Sequence, residues 1–125
     1  MVLFQFCGRK EGYLAEIVSK IQHTNLNAIL DVNSCYWIGL SDIVAENEFV
    51  WQHSYSPMGA NFTNWVPGEP DNAIHETCVD EDCVQMDEDC VHLWHVGGHW
   101  GWNDVVCETS KVGARAPLCH ALCQS

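Results

Sequence analysis

Nine of the 17 acidic residues in this 125-residue chain fall between Glu69 and Cys90. Within that stretch an acidic residue stands shortly before a cysteine three times: Glu76 before Cys78, Glu81-Asp82-Cys83, and Glu88-Asp89-Cys90. Two more oxygen donors, Asn103 and Asp104, follow downstream. Carboxylates and amide carbonyls are the hard ligands that calcium collects in sets of about six to eight. The net charge of -12 points the same way, because the basic residues are Arg9, Lys10, Lys20, Lys111 and Arg115, leaving no Lys or Arg from Ile21 to Ser110. A cation is the natural counterpart of such a surface. Nucleic acid is not, since phosphate binding needs clustered Lys and Arg.

Other chemistries find less support. His92, His95 and His99 invite zinc, but strand alternation puts His92 and His95 on opposite faces, and the H-E-x-x-H pattern is absent. No nucleophile sits in an elbow or triad pattern, so the chain is not read as an enzyme. Asn61-Phe62-Thr63 is an N-glycosylation acceptor motif.

The elements that must position the acidic residues belong to one domain, residues 1–125. Eight cysteines spread from Cys7 to Cys123, rather than grouped as paired knuckles, indicate disulfides and an extracellular, secreted protein. The opening "MVLFQFCGRK" has too short an apolar run for a signal peptide, so a mature piece or a fragment is expected. No run approaches the roughly 18 apolar residues of a membrane span, so membrane insertion is not expected. A homo-oligomer is compatible with these features.

Ser19 with Gln22 three residues on is a capping-box pattern, which predicts a helix from about Lys20 to Asp31. "CYWIGLSD" and "EFVWQH" read as strands, as do "CVHLW", "VVCE" and "APLCHAL". From His53 to Asp89, Pro57, Gly59, Pro67, Gly68 and Pro70 interrupt any period and predict a long loop. "ETCV", "EDCV" and "EDCV" read as a small internal duplication within it.

In chain order, "FC" at Phe6-Cys7, "GYLAEI", "WIGLSD", "FVW", "FTNWVPGEPDN", "EDCVHLW", "GWNDVVC" and "PLC" ending at Cys119 resemble a C-type lectin-like domain over nearly the whole chain. The resemblance implies an α+β fold: two helices, two small antiparallel sheets and a long loop carrying a calcium and sugar site. It implies disulfides from Cys7 to Cys119 and from a cysteine before the penultimate strand, taken as Cys90, to Cys107. Cys35, Cys78, Cys83 and Cys123 would remain, with Cys78 to Cys83 and Cys35 to Cys123 as the expected pairs. The family's first strand and part of its first helix would precede Cys7, so the last strand is expected to lack a partner.

The resemblance makes Glu69, Asp71, Asn103 and Asp104 calcium ligands, with Pro70 in the cis form. A glutamate before the strand cysteine joins them. Cys90 lies 17 residues before Cys107 and opens "CVHLW", which favours Glu88 for that place over Glu81 and Glu76, with Asp89 available to an additional ion. Sugar hydroxyls would coordinate the calcium while Glu69, Asp71, Glu88 and Asn103 hydrogen-bond them. Glu-Pro-Asn accompanies mannose-type and Gln-Pro-Asp galactose-type sugars in the family, whereas Glu69-Pro70-Asp71 is neither, being acceptor-only when ionised. Trp100 is the candidate to stack on a sugar ring, and Trp102 is expected in the core. The competing expectation is the same fold used for protein or mineral-surface contact.

Overall fold

A computed structural model describes Cys7 and residues 12–59, 62–70, 74–79, 81–87, 89–107 and 119–124, with the strands over 74–79 and 82–87 described by their backbone alone. The elements are β1 (Tyr13–Leu14), α1 (Lys20–Asn27), β2 (Tyr36–Ser41), β3 (Val50–Trp51), β4 (Ile74–Val79), β5 (Asp82–Asp87), β6 (Cys90–Val96), β7 (His99–Val105), β8 (His120–Ala121) and β9 (Cys123–Gln124). Among the described residues there is one α-helix rather than the two expected. No helix among them is long and apolar enough to cross a membrane.

The helix starts where its cap predicts. Ser19 Oγ accepts the Gln22 N–H at 3.2 Å, while Gln22 Oε1 accepts the Val18 N–H at 3.0 Å, one residue earlier than a standard capping box. It ends at Asn27, short of Asp31, because the chain tightens: the Ile29 N–H closes back on the Leu26 carbonyl at 3.0 Å, and Asp31 Oδ1 accepts the Asn33 N–H at 3.0 Å in a local turn.

The central sheet runs β3-β2-β6-β7, and β8 lies parallel to β2. Strand β2 is a continuous apolar run because both of its faces are covered. Ile38 and Leu40 enter a core with Ile17, Phe49, Trp51, Val91, Leu93, Trp100 and Trp102, while Trp37 joins Cys7, Leu14, Cys90 and Val105. Each fully buried Ile or Leu side chain there contributes about 1.5–3 kcal/mol. Gly39 lets β1 close against β2, since a Cβ at that position would lie 2.7 Å from the Leu14 carbonyl oxygen. Strands β6 and β7 pair from Cys90↔Val105 to Val96↔His99 across Gly97 and Gly98, whose positive φ angles of 61° and 85° suit a two-residue hairpin turn.

Two expectations need correction. The stretch from His53 to Asp89 is not all loop, because β4 and β5 form a hairpin in which Cys78 is opposite Cys83. The first two acidic-cysteine repeats therefore lie in the two strands of one ribbon, and Cys90 of the third opens β6. The last strand also has partners: β9 pairs β1 through Leu14↔Cys123, and β8 pairs β2 through Tyr36↔His120.

That same pairing overturns the expected bridges Cys7 to Cys119 and Cys35 to Cys123. The His120 N–H donates to the Cys35 carbonyl at 3.0 Å and sets Cys119 beside Cys35, whereas the β1–β9 pair brings Cys123 to Cys7. The bonds formed among the described residues are Cys7–Cys123, Cys35–Cys119 and Cys90–Cys107. The side chains of Cys78 and Cys83 lie outside the described residues.

Candidate functional site

The segment before Glu69 is stitched to β7. The Trp102 N–H donates to the Asn64 carbonyl at 2.8 Å, the Val66 N–H donates to the Trp102 carbonyl at 2.9 Å, and Asn64 Nδ2 donates to the Trp100 carbonyl at 2.9 Å. Gly101 permits this approach, because a Cβ there would meet Val66 Cγ2 at 2.7 Å. Trp51, Phe62 and Trp65 pack their rings edgewise on Trp102, which is fully buried. Trp102 is thus a core residue that anchors the loop.

From that anchor the chain turns through Gly68, at φ 91°, and the Glu69 N–H donates to the Val66 carbonyl at 2.9 Å. The Glu69–Pro70 peptide is cis. Glu69 is half-buried, and of the β7 residues Asn103 is half-buried and Asp104 fully buried. Asp71 and Glu88 lie outside the described residues. Trp100 is buried at 6% exposure, its ring 5.9 Å from Tyr36 and 5.3 Å from His95, and it lines a cavity of about 440 Å³ with Asn64, Trp65, Val66, Pro67 and His99.

A second group of acids is brought together by the central sheet. The Asp42 N–H donates to the Asp89 carbonyl at 3.1 Å, which extends the β2–β6 ladder one residue past Ser41↔Cys90. Carboxylate oxygens of Asp42, Glu46 and Asp89 all lie within 4.8 Å of one another. Asp42 Oδ2 accepts the Asn47 N–H at 2.9 Å, and its buried Oδ1 has no hydrogen-bond donor among the described residues. Burial, and after it the neighbouring Asp89 carboxylate, push the Asp42 carboxyl up to about 6, against the opposing pull of the Asn47 N–H. Converging oxygens, a buried acceptor without a donor and mutual repulsion are what a hard divalent cation would relieve, so these residues fit calcium.

Of this group the sequence reading reached Asp89 alone. Asp42 and Glu46, four residues apart at the end of "WIGLSD" and into the following turn, were missed because no regular element spans them. The signal present was the clustering of acids just past a buried strand.

The three histidines do not gather. His92 is buried, His95 half-buried and His99 exposed. His92 sits by Cys35 and Cys119, but those sulfurs are bonded to each other and offer no thiolate. Burial lowers the His92 pKa to about 4, so its ring is neutral at pH 7.

A short helix beside antiparallel sheets, a loop laid along one strand and carboxylates at its base define a lectin-type domain. The sequence pattern of the family described as "Lectin C-type domain" matches residues 3–113, and the chain belongs to that family. It is 44% identical over 78 residues to Salivary C-type lectin 2 of Aedes albopictus, covering 60% of this chain and 42% of that protein. Human E-selectin is 33% identical over 121 residues, covering 92% of this chain and 17% of the selectin. The chain thus spans less than half the length of either relative. Among solved structures, the C-type lectin domain of murine dendritic cell inhibitory receptor 2 in complex with N-glycan superposes with a TM-score of 0.66 at 26% identity, over 83% of this chain and 70% of that one.

Proposed function

We propose that this domain is an extracellular, secreted module that binds carbohydrate through calcium. The observation that supports the reading is the junction of loop and strand, where the Val66 N–H donates to the Trp102 carbonyl one residue before Asn103, and the same segment runs on to Glu69 and its cis peptide to Pro70. Glu69, Asp71, Glu88, Asn103 and Asp104 would hold the ion that accepts two sugar hydroxyls. Asp42, Glu46 and Asp89 fit a second calcium, which would neutralise their converging carboxylates.

The chain's own residues set what is recognised. Glu69 and Asp71 accept hydrogen bonds from hydroxyls and donate none, so Asn103 alone among the ligands offers an amide N–H. A mannose- or galactose-type glycan with neighbouring hydroxyls is the ligand class, and Trp100 would contact it through the cavity that it lines. The test is a glycan array read with calcium and again with chelator. Binding that chelator abolishes is expected. Binding unchanged in chelator, or none in either condition, would move the reading to the same fold used for protein or mineral-surface contact.

A further inference from the structure

The buried imidazole of His92 lies between a disulfide and one of the calcium ligands proposed above. His92 Nδ1 is 3.3 Å from Cys119 Sγ, and His92 Nε2 is 3.1 Å from Asn103 Nδ2. The ring stacks on Trp94 at 5.4 Å and leans on Trp37 at 6.1 Å, which leaves it little freedom to turn. Its backbone pairs directly with Asn103 across the β6–β7 ladder and with Trp37 across β2–β6.

We propose that His92 is a positioning residue for Asn103, tying the amide nitrogen so that Oδ1 is the atom left to serve a cation. Cys119 Sγ is bonded to Cys35, carries no proton and can only accept, so the hydrogen at that contact belongs to Nδ1. In the neutral ring Nε2 then carries a lone pair alone. From a planar amide only the NH₂ group can meet a lone pair, which fixes the orientation of Asn103 without reference to any ion. The disulfide thereby sets the tautomer, and the tautomer sets the ligand atom. One of the two Nδ2 hydrogens is consumed, so a single amide N–H remains for a sugar hydroxyl.

The inference rests on the calcium reading, and its test separates the two. Calcium alone is titrated calorimetrically into the full chain carrying His92→Leu, which removes the acceptor, or His92→Gln, whose Oε1 can replace it; melting in chelator checks that both variants fold. Calcium affinity is expected to fall about tenfold in His92→Leu and to stay near wild type in His92→Gln. An equal loss in both variants, or in neither, overturns the role. Independently, ¹⁵N spectra of the wild-type protein in chelator should show a neutral ring protonated at Nδ1 and a restrained Asn103 amide. A ring protonated at Nε2 overturns the proposal. Should wild type bind no calcium, the functional reading fails, and the spectra alone decide whether His92 holds Asn103.

Discussion

The two groups of oxygens proposed to bind cations are built differently. Asp42 and Asp89 stand just past a paired strand and just before another, joined by a backbone hydrogen bond that continues the central ladder. Glu69 and Asn103, by contrast, belong to an irregular segment and to the strand β7 along which it is laid, the two secured by three hydrogen bonds and a fully buried Trp102. The first group is preformed by the sheet, so its repulsion is present whether or not an ion binds. The second depends on a loop keeping its place, which would link its affinity to the packing of Trp65 and Val66.

Substituting Asp42 should separate them most sharply. In Asp42→Asn the amide oxygen can still accept the Asn47 N–H, while the charge beside Asp89 is gone. The calcium-free protein should therefore melt at least as high as wild type, yet calcium should raise its melting temperature less. For scale, a site occupied at one hundred times its dissociation constant contributes about 2.7 kcal/mol. Calorimetry should count one ion fewer, with glycan binding retained at saturating calcium. A melting temperature that falls in chelator would mean that Asp42 is held by favourable contacts rather than strained by a missing cation.

Acid offers a gentler version of the same comparison. The folded Asp42 carboxyl titrates at about 6, above its ordinary value of 3.8, so between those values the folded state binds the proton more tightly than the unfolded chain. In chelator, the contribution of Asp42 to stability should therefore increase as pH falls through about 6. Calcium competes with that proton, so the calcium-induced rise in melting temperature should shrink between pH 7 and 5. Melting curves with calcium and with chelator across that range test both signs.

Legibility in the sequence followed the same division. "WIGL" and "CVHLW" announced β2 and β6 because buried strands are written as apolar runs, and Ser19 with Gln22 announced the helix start. The resemblance implied the cis Glu69–Pro70 peptide that the structure contains. The bridges Cys35–Cys119 and Cys7–Cys123 were not legible, because they depend on which of two short strands pairs with β2 and which with β1. Asp42 and Glu46 were missed for a related reason: their convergence with Asp89 comes from strand pairing and not from a local motif.

The β4–β5 hairpin is the hardest case and gives the smallest predicted effect. Its strands read as acidic loop because Glu76, Asp82 and Asp87 interrupt the β-branched and apolar positions, yet the two pair along their whole length from Ile74↔Asp87 to Val79↔Asp82. Among the described residues they pair with each other and with no strand of the central sheet. Asp89 is placed by its bond to Asp42 and by Cys90, so the hairpin is not what sets it near Glu46. Replacing residues 74–87 by a short Gly-Ser linker removes Cys78 and Cys83 together and leaves no odd thiol. The shortened chain should melt within a few degrees of wild type, since a change of about 1 kcal/mol shifts a domain of this size by roughly 4 °C. It should also keep the calcium-dependent gain that Asp42 controls. A large loss of that gain would show that the ribbon helps to hold the acids, and that the sheet alone does not preform the second site.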